Sequence, residues 1–179
     1  MTHIRRHRRS IRLKDYDYAS PGAYFVTVCT YNRECLFGKI VDGEMIFNES
    51  GLIAVGEWKR SSTVREEIEI DSFVVMPNHL HGIVIIKEKN EDSDVGASGR
   101  TPLLCGPAPK SLGSLINGFK SSVTKRVNIL HHTPGAPLWQ RGFYEHVIRD
   151  TDNMNLIREY IITNPARWAL DRENPELKT

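Results

Sequence analysis

His79 and His81 stand two residues apart inside the apolar run FVVMPNHLHGIVII, residues 73–86. Side chains of a strand alternate between its faces, so positions i and i+2 point the same way. Both imidazoles therefore leave one face of a sheet, close enough to hold one ion or one substrate group. The plain alternative is a pair of hydrogen-bonded core histidines. A second pair lies in REYIITNPARW, residues 158–168, where Tyr160 and Asn164 are four apart. On one helix that spacing puts them on the same face, one turn apart. A tyrosine hydroxyl can serve as a covalent nucleophile. Tyr160 also reads as a core aromatic with its hydroxyl at the rim. Asn164 before Pro165 also fits an N-cap followed by proline at the first position of a new helix.

The elements that must position these residues alternate between strand and helix. AYFVTVCT, residues 23–30, is rich in aromatic and β-branched types and predicts a first strand after Pro21-Gly22. Asp42-Gly43 between short apolar runs is the signal of a two-residue hairpin turn. SGLIAVGEWKRSS predicts a modest helix capped by Asn48 or Ser50. Strands over residues 68–76 and 79–87 follow, bent at Pro77-Asn78. In LGSLINGFKSSVTKRVNIL, Leu112, Leu115, Ile116, Phe119, Val123 and Val127 form a helical stripe. Residues 142–149 predict the last strand, and Asp150 or Thr151 can cap a final helix through DNMNLIREYIIT. This order predicts an α+β chain of the ferredoxin-like, split βαβ kind with an antiparallel sheet. It adds an early β-hairpin insertion and a C-terminal helix carrying Tyr160. Residues 88–111, dense in Gly, Pro, Ser and charge, predict a flexible or functional loop.

Bulk properties narrow the classes. With 179 residues, 40% of them hydrophobic and 26% charged, the chain reads as a single globular domain over residues 1–179. No apolar run approaches the ~20 residues that span a membrane. The basic N-terminus is followed by no apolar stretch, which predicts no secretory signal. Cys29, Cys35 and Cys105 are odd in number and lack close metal-ligand spacing, as expected of reduced thiols in the cytoplasm. The net charge of +2 is unevenly spread. Arg5, Arg6, Arg8, Arg9, Arg12 and Lys14 form a basic arm over residues 1–14, while the remainder is mildly acidic. Such an arm suits a phosphate backbone, or else is a solvated tail.

MPNHLHG, LWQRGFYEHVIRD and REYIITNPARW, in this order, resemble the REP-associated tyrosine transposases of the single-tyrosine HUH superfamily. HUH denotes two histidines flanking a bulky apolar residue, here His79-Leu80-His81. The resemblance runs from RRSIRLKDYDYASPGAYFVTVCTYNRECLFG to Trp168 and is broken mainly by the 88–111 loop. It implies that Tyr160 attacks a DNA phosphodiester, leaving a 5′-phosphotyrosine and a free 3′ hydroxyl. It also implies a divalent metal held by His79 and His81, with Asn164 as third ligand. Imidazole suits manganese, whereas cellular abundance favours magnesium. The implied partner is single-stranded or hairpin DNA, handled by a monomer or a homodimer in the cytoplasm at the nucleoid.

Other residues carry lesser expectations. Tyr144 is the alternative nucleophile but lacks a following Asn at helical spacing, and His146 shares its strand face. Lys120, Lys125, Arg126, Arg141 and Arg149 are candidate phosphate contacts alongside the arm. Two other functions compete with strand transfer. One is a domesticated, sequence-specific DNA-binding protein without turnover. The other is a metal-dependent phosphohydrolase, weakened because Ile83 stands where a third alternating histidine would fall.

The arm generates a first prediction. Deleting residues 2–14 removes six positive charges. Binding to single-stranded DNA should weaken, and the slope of log affinity against log salt should become shallower. Fluorescence anisotropy over a salt series measures both, and an unchanged slope returns the arm to the solvated-tail reading.

Overall fold

The computed structural model describes residues 19–88 and 110–178. The basic arm at residues 1–14, with Arg5, Arg6, Arg8, Arg9 and Arg12, lies outside the described residues, as do Cys105 and most of the 88–111 loop. Strand β1 (Gly22–Cys29) is followed by the hairpin β2 (Gly38–Val41) and β3 (Glu44–Phe47) and then by helix α1 (Glu49–Thr63). Next come β4 (Ile68–Met76), β5 (His79–Ile86), helix α2 (Leu112–Leu130), β6 (Tyr144–Ile148) and helix α3 (Thr151–Thr163). A short 3-10 helix, Pro165–Leu170, continues from α3. The main sheet has the order β4-β5-β1-β6, antiparallel at every pairing, which is the split βαβ arrangement.

Local chemistry accounts for the boundaries. Asp42 and Gly43 both take positive φ, 51° and 79°, as a two-residue turn between β2 and β3 requires. Three helices start at side chains that accept a backbone N–H. Asn48 Oδ1 accepts from Gly51 at 2.9 Å, Ser111 Oγ from Ser114 at 3.2 Å, and Asp150 Oδ1 from Asn153 at 2.7 Å. The last strand is shorter than expected, because Gly142 turns the chain with a φ of 73° before pairing begins at Tyr144. Among the described residues, no helix is long and apolar enough to cross a membrane.

The sheet separates two apolar layers. On one face, α1 and α2 pack over Tyr24, Val26 and Val28 of β1 and Leu80 and Val84 of β5, with Trp58 and Phe119 between them. All six residues of the α2 stripe are buried there. The helices are also joined by Glu57, a buried carboxylate that accepts from Ser122 Oγ at 2.5 Å and Arg126 Nη1 at 2.6 Å. The Ser122 hydrogen bond, with help from Arg126, holds its carboxyl below the usual range despite burial. On the other face, α3 lies over β4 and β5 and closes a smaller cluster around Ile83, Ile148 and Ile161.

Strand β5 thus carries the two layers on alternate residues, and Gly82 decides how closely the α1 layer approaches it. A Cβ at Gly82 would lie 2.7 Å from Trp58 Cζ2, and Trp58 is fully buried. Gly82→Ala should therefore destabilise the fold by about 1–3 kcal/mol through overpacking. Urea unfolding measures it, and an unchanged midpoint would show that Trp58 repacks without cost.

Candidate active site

His79 and His81 project from β5 to the α3 face, their rings 4.4 Å apart, and both are buried. Each has its Nδ1 held by a neutral partner. Asn78 spends both amide hydrogens on the carbonyls of Arg33 (3.0 Å) and Glu173 (2.7 Å), which turns its Oδ1 toward His79 Nδ1 at 2.8 Å. His79 must then carry its proton on Nδ1 and leave the Nε2 lone pair free. That Nε2 is buried and has no hydrogen-bond partner. His81 Nδ1 lies 2.8 Å from Thr27 Oγ1, and its Nε2 lies 3.1 Å from Tyr160 Oη.

Burial sets the protonation states. It pushes His79 down to about 3, helped by the Arg33 charge. His81 falls well below the usual imidazole range, first through burial and then through His79. Tyr160 moves the other way, raised by burial and by the negative charge of Asp171. A neutral phenol beside a neutral imidazole donates its O–H to His81 Nε2, which leaves His81 Nδ1 to donate to Thr27. Both imidazoles therefore present Nε2 lone pairs to one small volume.

Two further residues stand beside this group. Asn164, one turn beyond Tyr160, is buried, and its Oδ1 has no hydrogen-bond partner. Asn164 does stand at the N-cap position of the following 3-10 helix, with Pro165 opening it as the sequence predicts, but its side chain makes no capping hydrogen bond. Asp171 is the residue that motif reasoning missed. The 3-10 helix carries the chain back across the site, and Asp171 Oδ2 arrives 3.9 Å from His79 Nε2. With His79 neutral, this approach is not an ion pair. One ligand atom from each of His79, His81 and Asp171 falls within 4.8 Å of the others. The segment is held by Arg33, whose Nε meets Glu173 Oε2 at 2.9 Å and whose Nη1 donates to the Arg172 carbonyl at 3.3 Å. Buried acceptors without donors beside a carboxylate are costly unless a cation satisfies them. This group could hold a metal ion, and its mixed nitrogen and oxygen character suits a divalent one.

Helix α3 is docked by a contact equally invisible in the motifs. Arg158 grips Asp71 in a two-pronged pair, Nε to Oδ1 at 2.8 Å and Nη2 to Oδ2 at 2.6 Å. Asp71 lies at a register shift of β4 between Ile70 and Phe73, where a bulge re-aims the strand. Arg158 stands two residues before Tyr160, so this pair sets where the phenol lies over the sheet.

The remaining candidates are dispersed. Tyr144 and His146 are exposed on the same sheet face, and Tyr144 meets the ring of Phe25 at 6.4 Å. Lys120 turns inward, its Nζ donating to the carbonyls of Gln140 (2.5 Å) and Gly142 (2.9 Å). Arg126 is engaged by Glu57 on the opposite side of the sheet. Lys125, Arg141 and Arg149 are exposed.

No protein-family model matches the chain. Over 168 residues it is 40% identical to an uncharacterised protein of Haemophilus influenzae, the match covering 93% of this chain and 92% of that one. Its fold is also that of a REP-associated tyrosine transposase solved bound to a REP hairpin. The TM-score is 0.58 at 21% identity, covering 90% of this chain and 76% of that chain. The antiparallel α+β architecture expected from the motifs is thus shared with a protein of the type they resemble.

The depressed imidazoles make stability depend on pH in a definite direction. His79 titrates at about 3 in the folded chain, against about 6.5 when unfolded. Between those values the unfolded chain binds more protons, so stability is complete above the unfolded value and is lost as pH falls toward the folded one. Melting temperatures should fall through that window, with a flatter dependence in His79→Asn. A melting temperature that does not change with acid would show that the imidazoles are not kept neutral.

Proposed function

The chain belongs to one family with the Haemophilus influenzae protein, and from its fold and site geometry we propose a metal-dependent, single-tyrosine DNA nuclease and strand transferase. Its substrate is single-stranded DNA carrying hairpin elements, and its intermediate is a 5′-phosphotyrosine on Tyr160. The observation that carries the reading is the meeting of the Tyr160 hydroxyl with His81 Nε2 beside the unpartnered His79 Nε2 and Asn164 Oδ1. The hairpin in the structure of the related fold supports the same class of partner.

The geometry supports a role for each residue. His79, His81 and Asp171 would hold the ion, with Asn164 at hand as a further oxygen. Bound there, Mg²⁺ or Mn²⁺ would supply the positive charge that polarises a phosphate and stabilises its in-line displacement. His81 Nε2 has one lone pair, which serves the phenol or the ion but not both. With an ion held there, His81 Nε2 would no longer accept from Tyr160, and the Tyr160 hydroxyl would be available to a phosphate. The phenol oxygen then bonds to phosphorus as the P–O3′ bond breaks, and the phenol proton is given up as the departing oxygen becomes a 3′ hydroxyl. Tyr160 is 40% exposed, which leaves a route for a strand to reach it. The ester energy stays in the tyrosyl link, so rejoining needs no nucleotide cofactor. Such a protein would work with DNA in the cytoplasm.

Tyr160→Phe tests this. The wild type should form a denaturation-resistant adduct with a labelled single-stranded hairpin substrate in manganese, and the variant should form none. Losing the hydroxyl also removes its hydrogen bond to His81, a change of only about 1 kcal/mol in stability, so folding persists. An adduct that survives in Tyr160→Phe and disappears in Tyr144→Phe would move the nucleophile to β6. Absence of any adduct in the wild type would leave a binding protein without turnover.

A further inference from the structure

Helix α3 lies over β4 and β5 and closes on Ile148 at the end of β6, and the β1 side chains on the same face are partly or fully buried, so among the described residues the uncovered part of this face is the Tyr144 end of β6. Strand β6 is the edge of the sheet, and two of its side chains on this face, Tyr144 and His146, are exposed. Tyr144 keeps 41% of its surface in water. It pairs across the strands with Thr27, the residue whose hydroxyl holds His81, and His146 pairs with Phe25. Phe25 joins this uncovered end to the chemistry. Its ring stacks on His81 at 5.3 Å and 28°, meets Tyr160 edge-on at 6.1 Å, and meets Tyr144 edge-on at 6.4 Å. An aromatic floor thus runs without a break from the His81–Tyr160 pair to the edge of the sheet. Exposed Arg141 and Arg149 stand on either side of β6, one before it and one after.

Flat rings interleaved with cations match one kind of ligand chemistry. Unpaired bases stack on aromatic rings while their phosphates meet arginine, and the stacking tolerates any base because every base has a π-face. Paired bases are stacked on each other and offer no free face to such a floor. We propose that the β1–β6 face is a stacking subsite for an unpaired nucleobase of the single strand whose phosphate lies at Tyr160, with Tyr144 as its principal platform. Sheets of this architecture elsewhere receive unpaired bases on aromatics of their central strands, a likeness of fold and not of this site. Here imidazoles occupy those places on β5, so the platform lies on β1 and β6. The subsite rests on the proposed strand-cleaving function for its location, and it also answers why Tyr144 is aromatic without being the nucleophile.

The test is equilibrium binding in chelator, where no cleavage occurs. Mixed-sequence single-stranded oligodeoxynucleotides serve as probes, with one abasic site walked along them and affinity read by fluorescence anisotropy. Tyr144→Ala should weaken binding roughly tenfold, within the range for loss of one stacked base. The salt dependence should not change, because no charge is lost. One abasic position should weaken the wild type comparably, and Tyr144→Ala should be indifferent to that same position. Tyr144→Phe, which keeps the ring, should restore the sensitivity. The abasic scan on the unmutated protein is independent of any folding defect in the alanine variant. Equal affinity of wild type and Tyr144→Ala, or equal abasic sensitivity at every position, would overturn the subsite. So would the same Tyr144 dependence with duplex DNA. Because these readings need no adduct, loss of the subsite leaves cleavage by Tyr160 standing, and a protein that stacks bases but forms no adduct fails only the cleavage reading.

Discussion

An imidazole buried against a second imidazole can take up a proton only at high cost, so His79 and His81 must be supplied with partners that need no charge. Asn78 and Thr27 are those partners, and each ties the pair to a different part of the fold. Asn78 faces His79 because its amide hydrogens are committed to the carbonyls of Arg33 and Glu173, residues far apart in the chain. Thr27 faces His81 because β1 pairs with β5 in a register that sets them opposite each other. One requirement, neutral nitrogens with defined tautomers, thereby involves the sheet order, the β4–β5 turn and the C-terminal segment together. Second-layer hydrogen bonds of this kind are what orient imidazoles that bind an ion.

The two faces of β5 divide the work. Leu80, Gly82 and Val84 lie in the layer shared with α1 and α2, where Trp58 packs against the glycine so closely that no other residue fits unstrained. That dry, dense layer gives the histidines a backbone that does not shift. The opposite layer is thinner. Ile83, Ile148 and Ile161 form only a small cluster, and the two-pronged Arg158–Asp71 pair adds direction to what apolar contact alone would leave loose. The nucleophile candidate is thus carried by the less heavily packed of the two layers.

Much of this was legible because it is local. A period of two put both histidines on one face, a period of 3.6 gave the whole buried stripe of α2, and Asp42-Gly43 marked its turn through the φ values only such residues accept readily. What escaped depends on contacts between distant segments. Asp171 shares no spacing with Tyr160 and Asn164 and reaches His79 only because a 3-10 helix reverses the chain. Asp71 gained its partner from a bulge, which adds a residue to a strand without leaving a mark in composition. Lys120 and Arg126 have the composition of phosphate contacts, yet backbone carbonyls and Glu57 occupy them. Charge tells that a lysine or arginine needs a partner, but not whether that partner is inside the protein or outside it.

The histidines stand on a central strand of the sheet, and the way its face is covered around them decides what can approach. Helix α3 covers β4 and β5 where Tyr160 reaches His81 and closes on Ile148, which leaves Tyr144 and His146 of β6 exposed on that face. A second helix over β6 would bury Tyr144, which keeps 41% of its surface in water. An open aromatic edge is a hazard for an antiparallel sheet, since an unpaired strand invites another chain. Arg141 and Arg149, exposed before and after β6, blunt that hazard by charge. The covered part of the face keeps water from the nitrogens that stay neutral, while the β6 edge leaves Tyr144 and His146 in solvent.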